Sequence, residues 1–188
     1  MTRSNLTRSL FAAAAIFALS TAPAWAGMSV SGKPKVVFNA AGSPGALDIE
    51  GVTNTMTLTD DGTNLTFTVP MATVKTGIGL RDDHMNNEYV QIAQFPNATL
   101  SFAKTAVKWP ANPGESSKGT VTGSFGIHGV QQPVTVSYDI KKDAAGYTVK
   151  AGFDLDAGKH GIQIPSYLGI TVDPKMKASA TVSLVDAP

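Results

Sequence analysis

From Asn64 to Val69 the chain reads N-L-T-F-T-V. Leu65, Phe67 and Val69 fall on one side of an extended backbone, Thr66 and Thr68 on the other. That two-residue period marks a strand with one buried face. It recurs in V-T-V-S-Y-D-I from Val134 to Ile140, which puts Val136 and Tyr138 on a common face. Tyr147, Val149, Ala151, Phe153 and Leu155 form a third series, and Met176, Ala178, Ala180, Val182 and Leu184 a fourth. Thr, Ser and Lys fill the opposite positions. Asp60-Asp61-Gly62 and Asp143-Ala144-Ala145-Gly146 carry the residues of tight hairpin turns. Lys108 to Lys118, KWPANPGESSK, predicts a longer polar loop. The alternation stops between Leu80 and Phe95, and a short helix is expected there. The runs amount to about eight or nine strands, and so long an antiparallel sheet leaves exposed edges unless it closes. The predicted fold is all-β: an eight-stranded, antiparallel, up-and-down barrel with a short helix capping one end.

The inner faces of these strands are almost wholly apolar, and many positions are small: Ala151, Ala178, Ala180, Gly123. About eight strands enclose a space that side chains either fill or leave open for one small ligand. Small residues among Phe, Leu and Met favour an apolar cavity. Alternation alone leaves a fully packed core as the other outcome.

The first 26 residues read differently. Arg3 and Arg8 precede an apolar run from Leu10 to Leu19, and Ala24-Trp25-Ala26 offers small residues at the two positions read by a signal peptidase. This pattern predicts a secretory signal at residues 1–26, with export to the periplasm. The run is too short to serve as a permanent membrane anchor. The remaining domain, residues 27–188, suffices for a single core. Loss of the two arginines moves the formal charge from +1 to −1, with no general attraction for nucleic acid or anionic lipid. The chain has no cysteine, so no disulfide staples the fold. Asn64-Leu65-Thr66 and Asn97-Ala98-Thr99 match the glycosylation sequon, a chance match behind a bacterial-type signal.

The candidate chemistry gathers at Arg81, Asp82, Asp83 and His84. Catalysis would need a poised acid–base pair or metal ligands. His84, His128 and His160 belong to no dense metal pattern, and no Gly-x-Ser-x-Gly elbow occurs. Convergence of the three histidines on a metal with Asp82 or Asp83 defines an enzyme reading. A structural reading competes with it. Asp82 or Asp83 would cap a short helix. Arg81 would donate its fork to carbonyls where the helix meets the barrel, and Leu80 and Met85 would point into the barrel end. The cluster is then a latch of Arg81, Asp82 and His84 that docks a plug. Direct ligand contact is the third reading.

Around this cluster the chain resembles the YceI-like family of lipid- or polyisoprenoid-binding periplasmic proteins. The carrying residues are Thr76-Gly77, Arg81-Asp82-Asp83-His84-Met85, Tyr89-Val90, Phe95-Pro96 and Leu100-Ser101-Phe102. A second patch runs from Gly123 through Phe125, Gly126, Ile127 and Gly129-Val130 to Pro133-Val134, and Gly161-Ile162 precedes a final long strand. Met85 replaces the family's leucine, and the paired aromatic is reduced to Tyr89-Val90. The resemblance implies a lipocalin-like, eight-stranded antiparallel barrel that holds a long apolar chain and binds without catalysis. It implies no cofactor beyond the bound lipid, and allows a homodimer. Candidate ligand contacts are then Leu65, Phe67, Val69, Phe102, Phe125 and Ile127 on the earlier strands. Val136, Tyr138, Phe153, Ala180 and Val182 follow on the later ones, with Leu80, Met85 and Tyr89 from the capping segment. A structural, stress-related domain with a filled core remains a further alternative.

Overall fold

The computed structural model describes residues 27–43, 47–167 and 170–186. The expected signal at residues 1–26 lies outside the described residues. Long strands dominate: β1 (Met28–Ser43), β2 (Leu47–Thr53), β3 (Thr57–Asp60), β4 (Asn64–Pro70), β5 (Asn97–Ala103), β6 (Ser116–Ile127), β7 (Val130–Lys142) and β8 (Tyr147–Asp156). Two short pieces, β9 (Ser166–Tyr167) and β10 (Ile170–Val172), precede β11 (Lys175–Asp186). All pair antiparallel in one sheet. The order is β3-β4-β5-β6-β7-β8-β11-β1, with β10 and β9 continuing beside the end of β1 and β2 on its other edge.

β2 pairs with the second half of β1, and β3 then lies beside its first half. Taken as one broken strand, β2 and β3 complete the eight staves expected from the alternation. The sheet curls into a half-barrel. Its two margins meet through a side chain: Met28 N donates to Asp60 Oδ2 at 2.8 Å, and Lys104 Nζ reaches the same oxygen at 2.6 Å. Burial alone would raise the Asp60 pKa, but the hydrogen bonds from Lys104, Met28 and Gly62 hold it below the ordinary value.

The turns follow their residue chemistry. His128 and Gly129 both take positive φ, 54° and 74°, the geometry of a two-residue hairpin turn between β6 and β7. Asp61 Oδ1 accepts from Thr63 N at 2.8 Å and Asn64 N at 2.6 Å, which closes the β3–β4 turn. Asp143 Oδ1 does the same for Ala145 and Gly146.

The long β4–β5 connection holds the helix. α1 (Gly79–His84) widens directly into a π-helical turn over Met85–Tyr89. The segment lies close to β2: Val52 and Lys75 form an isolated bridge, and a Cβ at Gly51 would stand 2.9 Å from the Val74 side chain. Val74 is 1% exposed and Val90 is buried, while Met85 and Ile92 pack on the same core. The segment thus covers one end of the barrel. At the other end, Trp109 Nε1 donates to the Lys104 carbonyl at 3.1 Å and its ring meets Tyr147 edge-on at 5.2 Å.

Candidate functional site

An apolar cavity runs through the core. Its volume is about 90 Å³, and it opens in part to solvent. The walls therefore stand close everywhere, and the space is narrow. The polar side chains in its lining are those of Thr99, Ser179 and Trp109, together with the Tyr138 hydroxyl. That hydroxyl is itself engaged, accepting from Lys108 N at 3.1 Å.

Cross-strand register explains where the space lies. Ala178 sits opposite Phe153, Ala180 opposite Ala151, and Val182 opposite Val149. The facing pair Ala151 and Ala180 is the thinnest part of this wall. Phe67 and Phe102, on β4 and β5, pair at 5.9 Å between ring centroids, and Phe125 of β6 meets Phe153 of the alanine wall at 4.9 Å. Rings thus frame a gap that the alanines leave open.

Nine of the candidate contacts line this cavity: Phe67, Val69, Phe102, Phe125, Val136, Tyr138, Phe153, Ala180 and Val182. Leu65 and Ile127 are buried in the core but do not line the cavity. Met85 is half-buried against the core, and Tyr89 is half-buried within the π turn. Leu80 differs most from expectation: it is 67% exposed, facing away from the barrel end. The lining also includes residues absent from the candidate set, among them Phe38, Met56, Leu100, Val107, Trp109 and Ile140. Phe38 and Leu100 carry the same alternating signal as their neighbours. Val107 and Trp109 carry none, because they sit at the edge of the polar loop.

The Arg81 cluster closes a small loop. Arg81 Nε donates to Thr76 Oγ1 at 2.8 Å, and Nη2 to the Thr76 carbonyl at 2.7 Å. Asp82 Oδ1 accepts from Thr76 N at 2.8 Å and from Thr76 Oγ1 at 2.6 Å. Burial works against the Asp82 charge, but the two Thr76 hydrogen bonds and nearby Lys75 and Arg81 bring its pKa below the usual carboxylate value. The helix-cap role expected of Asp82 or Asp83 is not what the structure has. Ile78 holds the cap position with no side-chain bond, and Asp82 lies too far into α1 to cap it. It reaches back to Thr76 instead. His84 stands apart from these bonds, with Nε2 4.0 Å from Glu88 Oε1 on an exposed face.

The other two histidines serve loops. His160, 1% exposed, donates from Nδ1 to the Val130 carbonyl at 3.0 Å and meets Phe125 edge-on at 5.4 Å. His128 donates from Nδ1 to the His160 carbonyl at 3.2 Å, and Phe95 packs on its ring at 4.8 Å. Among the described residues, no group of three or more His, Cys, Asp or Glu is placed to hold a metal ion.

A family profile described as the YceI-like domain matches residues 35–184, most of the chain. The chain belongs to the YceI-like family. Its fold is similar to that of a polyisoprenoid-binding domain from Saccharophagus degradans, implicated in plant cell wall breakdown. The TM-score is 0.71 and the identity 13%, over 86% of this chain and 99% of that one. BcnA of Burkholderia cenocepacia gives a TM-score of 0.63 at 16% identity, over 81% and 96% of the two chains. No curated protein matches the chain in sequence. At these identities the two structures bear on the fold of this YceI-like domain and not on its ligand.

Proposed function

We propose that this YceI-like protein is a secreted, periplasmic carrier that holds an isoprenoid or similar long-chain lipid in its barrel without transforming it. The observation that carries this reading is the narrow apolar cavity framed by Phe67, Phe102, Phe125 and Phe153. Its shape suits one flexible hydrocarbon chain better than a broad ring system. Each buried CH₂ contributes roughly 0.8 kcal/mol, so a five-carbon isoprene unit yields about 4 kcal/mol. Association costs about 4–15 kcal/mol, so several units are needed for firm binding. The binding of polyisoprenoid named for the S. degradans domain agrees with this chemistry.

Two polar groups beside the cavity wall carry structural bonds, which supports binding over catalysis. His160 is spent on Val130, and the Tyr138 hydroxyl on Lys108. The Arg81 latch is proposed to hold the capping segment in place, with no contact to the tail. Organic extraction of the purified protein followed by mass spectrometry tests the reading. One lipid per chain, with a long unbranched or isoprenoid tail, is expected. Empty protein that also fails to take up an added isoprenoid quinone would sink it.

A further inference from the structure

Ile78 and Leu80 are the large apolar side chains that stand exposed among the described residues, at 54% and 67%. They sit at the tip of one small loop. Its base is tied by the four hydrogen bonds among Thr76, Arg81 and Asp82. A Cβ built on Gly77 or Gly79 would meet nothing within 4 Å, so the tip stands clear of the rest of the molecule. The inner side of the same segment is buried on the barrel through Val74 and Val90. A sequence that only needed to cap the barrel would gain nothing from holding two aliphatic side chains in water on a braced tip.

We propose that the Ile78–Leu80 tip docks the protein reversibly on a lipid bilayer of neutral headgroups, from which its cargo is drawn; this rests on the carrier reading above. The occupant follows from three features. Two side chains are far too small an area for a stable protein partner, which needs about 800 Å² on each side. They are enough for shallow, reversible insertion, where affinity follows the apolar area buried. The exposed neighbours Lys75, Asp83, His84 and Glu88 mix both signs, so no attraction to anionic lipid is built in. A long-chain cargo is itself held in bilayers, since water dissolves it poorly.

The test is co-sedimentation of the purified protein with phosphatidylcholine vesicles, beside a variant carrying Ile78→Ser and Leu80→Ser. The unmutated protein is expected to bind, and the variant to bind about tenfold less or weaker still. Its unfolding midpoint should stay unchanged, because both side chains face water. As an independent readout, Leu80→Trp should shift its emission to shorter wavelength when vesicles are added. Absence of binding by the unmutated protein overturns the proposal, as does binding unchanged in the double variant. So does binding that appears only with anionic lipid, or a protein dimer abolished by the double variant, which would make a second copy the occupant. Lipid extraction from the unmutated protein is scored separately. A loaded protein that ignores vesicles defeats the docking proposal alone, and an empty one that binds them defeats the carrier reading alone.

Discussion

Leu65 and Leu80 are fifteen positions apart and face opposite environments. Leu65, in β4, is fully buried; Leu80, in α1, is 67% exposed. In β4 the facing is enforced by ladders on both edges, to β3 and to β5. A one-residue slip would turn every side chain of that strand to the wrong side. In the Thr76–Asp82 loop no ladder acts. Orientation there is set by side-chain hydrogen bonds to Thr76, which hold the tip outward despite its apolar residues. Hydrophobicity decides the facing along the paired strand, and polar ties decide it at this tip.

The largest effect that tests this contrast is in β4. Leu65→Ala should cost about 2–5 kcal/mol, since the site is fully packed and cannot collapse without cost. Leu80→Ala should stay within about 0.5 kcal/mol of the unmutated protein. Urea unfolding of the two variants reads both. A Leu80→Ala loss close to that of Leu65→Ala would mean that Leu80 spends its time packed inward.

The second effect is on the ties. Arg81→Ala removes two donors from Thr76 and should cost roughly 1–3 kcal/mol. His84→Ala, which touches only an exposed glutamate, should cost less than about 0.5 kcal/mol. If Arg81→Ala left the unfolding midpoint in place yet emptied the barrel of lipid, Arg81 would be a ligand contact and not a latch.

The same contrast explains what could be read from the chain. The alternating runs at Leu65–Val69, Val134–Ile140, Tyr147–Leu155 and Met176–Leu184 became β4, β7, β8 and β11, because period two leaves one solution when one face is buried. The Asp60-Asp61-Gly62 turn was legible because Asp and Gly are turn residues, and Gly62 takes a positive φ of 86°. The cavity was legible only as a possibility of small residues. Its position depends on Ala180 standing opposite Ala151, and cross-strand register is not written in either strand alone. Val107 and Trp109 close the far end from an irregular loop, so no periodicity announced them. The partner of Asp82 was missed for a related reason. A helix-cap expectation looks forward along the chain, whereas this carboxylate reaches back six residues.

A third prediction places the contrast inside the wall. Ala180→Trp adds a large ring where the facing residue is Ala151 and the space is open. Its cost should fall below the roughly 1–3 kcal/mol of an overpacked core. The ring should occupy the tube and abolish lipid retention, read by extraction and mass spectrometry. An unfolded variant would favour a filled core. A stable variant with full lipid load would show that the tail does not pass Ala180.

The smallest expected effect is a pH dependence of the latch. The Asp82 pKa lies below its ordinary value in the folded protein, because the hydrogen bonds from Thr76 favour the carboxylate more than burial opposes it. A depressed folded value means that the unfolded chain takes up the proton first as pH falls. The stabilisation is therefore fully present above the unfolded carboxylate value of about 3.9, and is lost as pH falls through the lower folded value. Asp82→Asn keeps an oxygen at the same place but cannot carry the charge. Below about pH 4 the unmutated protein should lose stability more steeply than Asp82→Asn, and the gap between them should narrow. Asp60, Asp61 and Glu115 are also held below their ordinary values, so both proteins will weaken in acid, and only the difference belongs to Asp82. Chemical denaturation of the pair across that range reads the difference. A gap that stays constant with pH would mean that the Thr76 bonds do not depend on the Asp82 charge, leaving Arg81 as the tie that braces the loop.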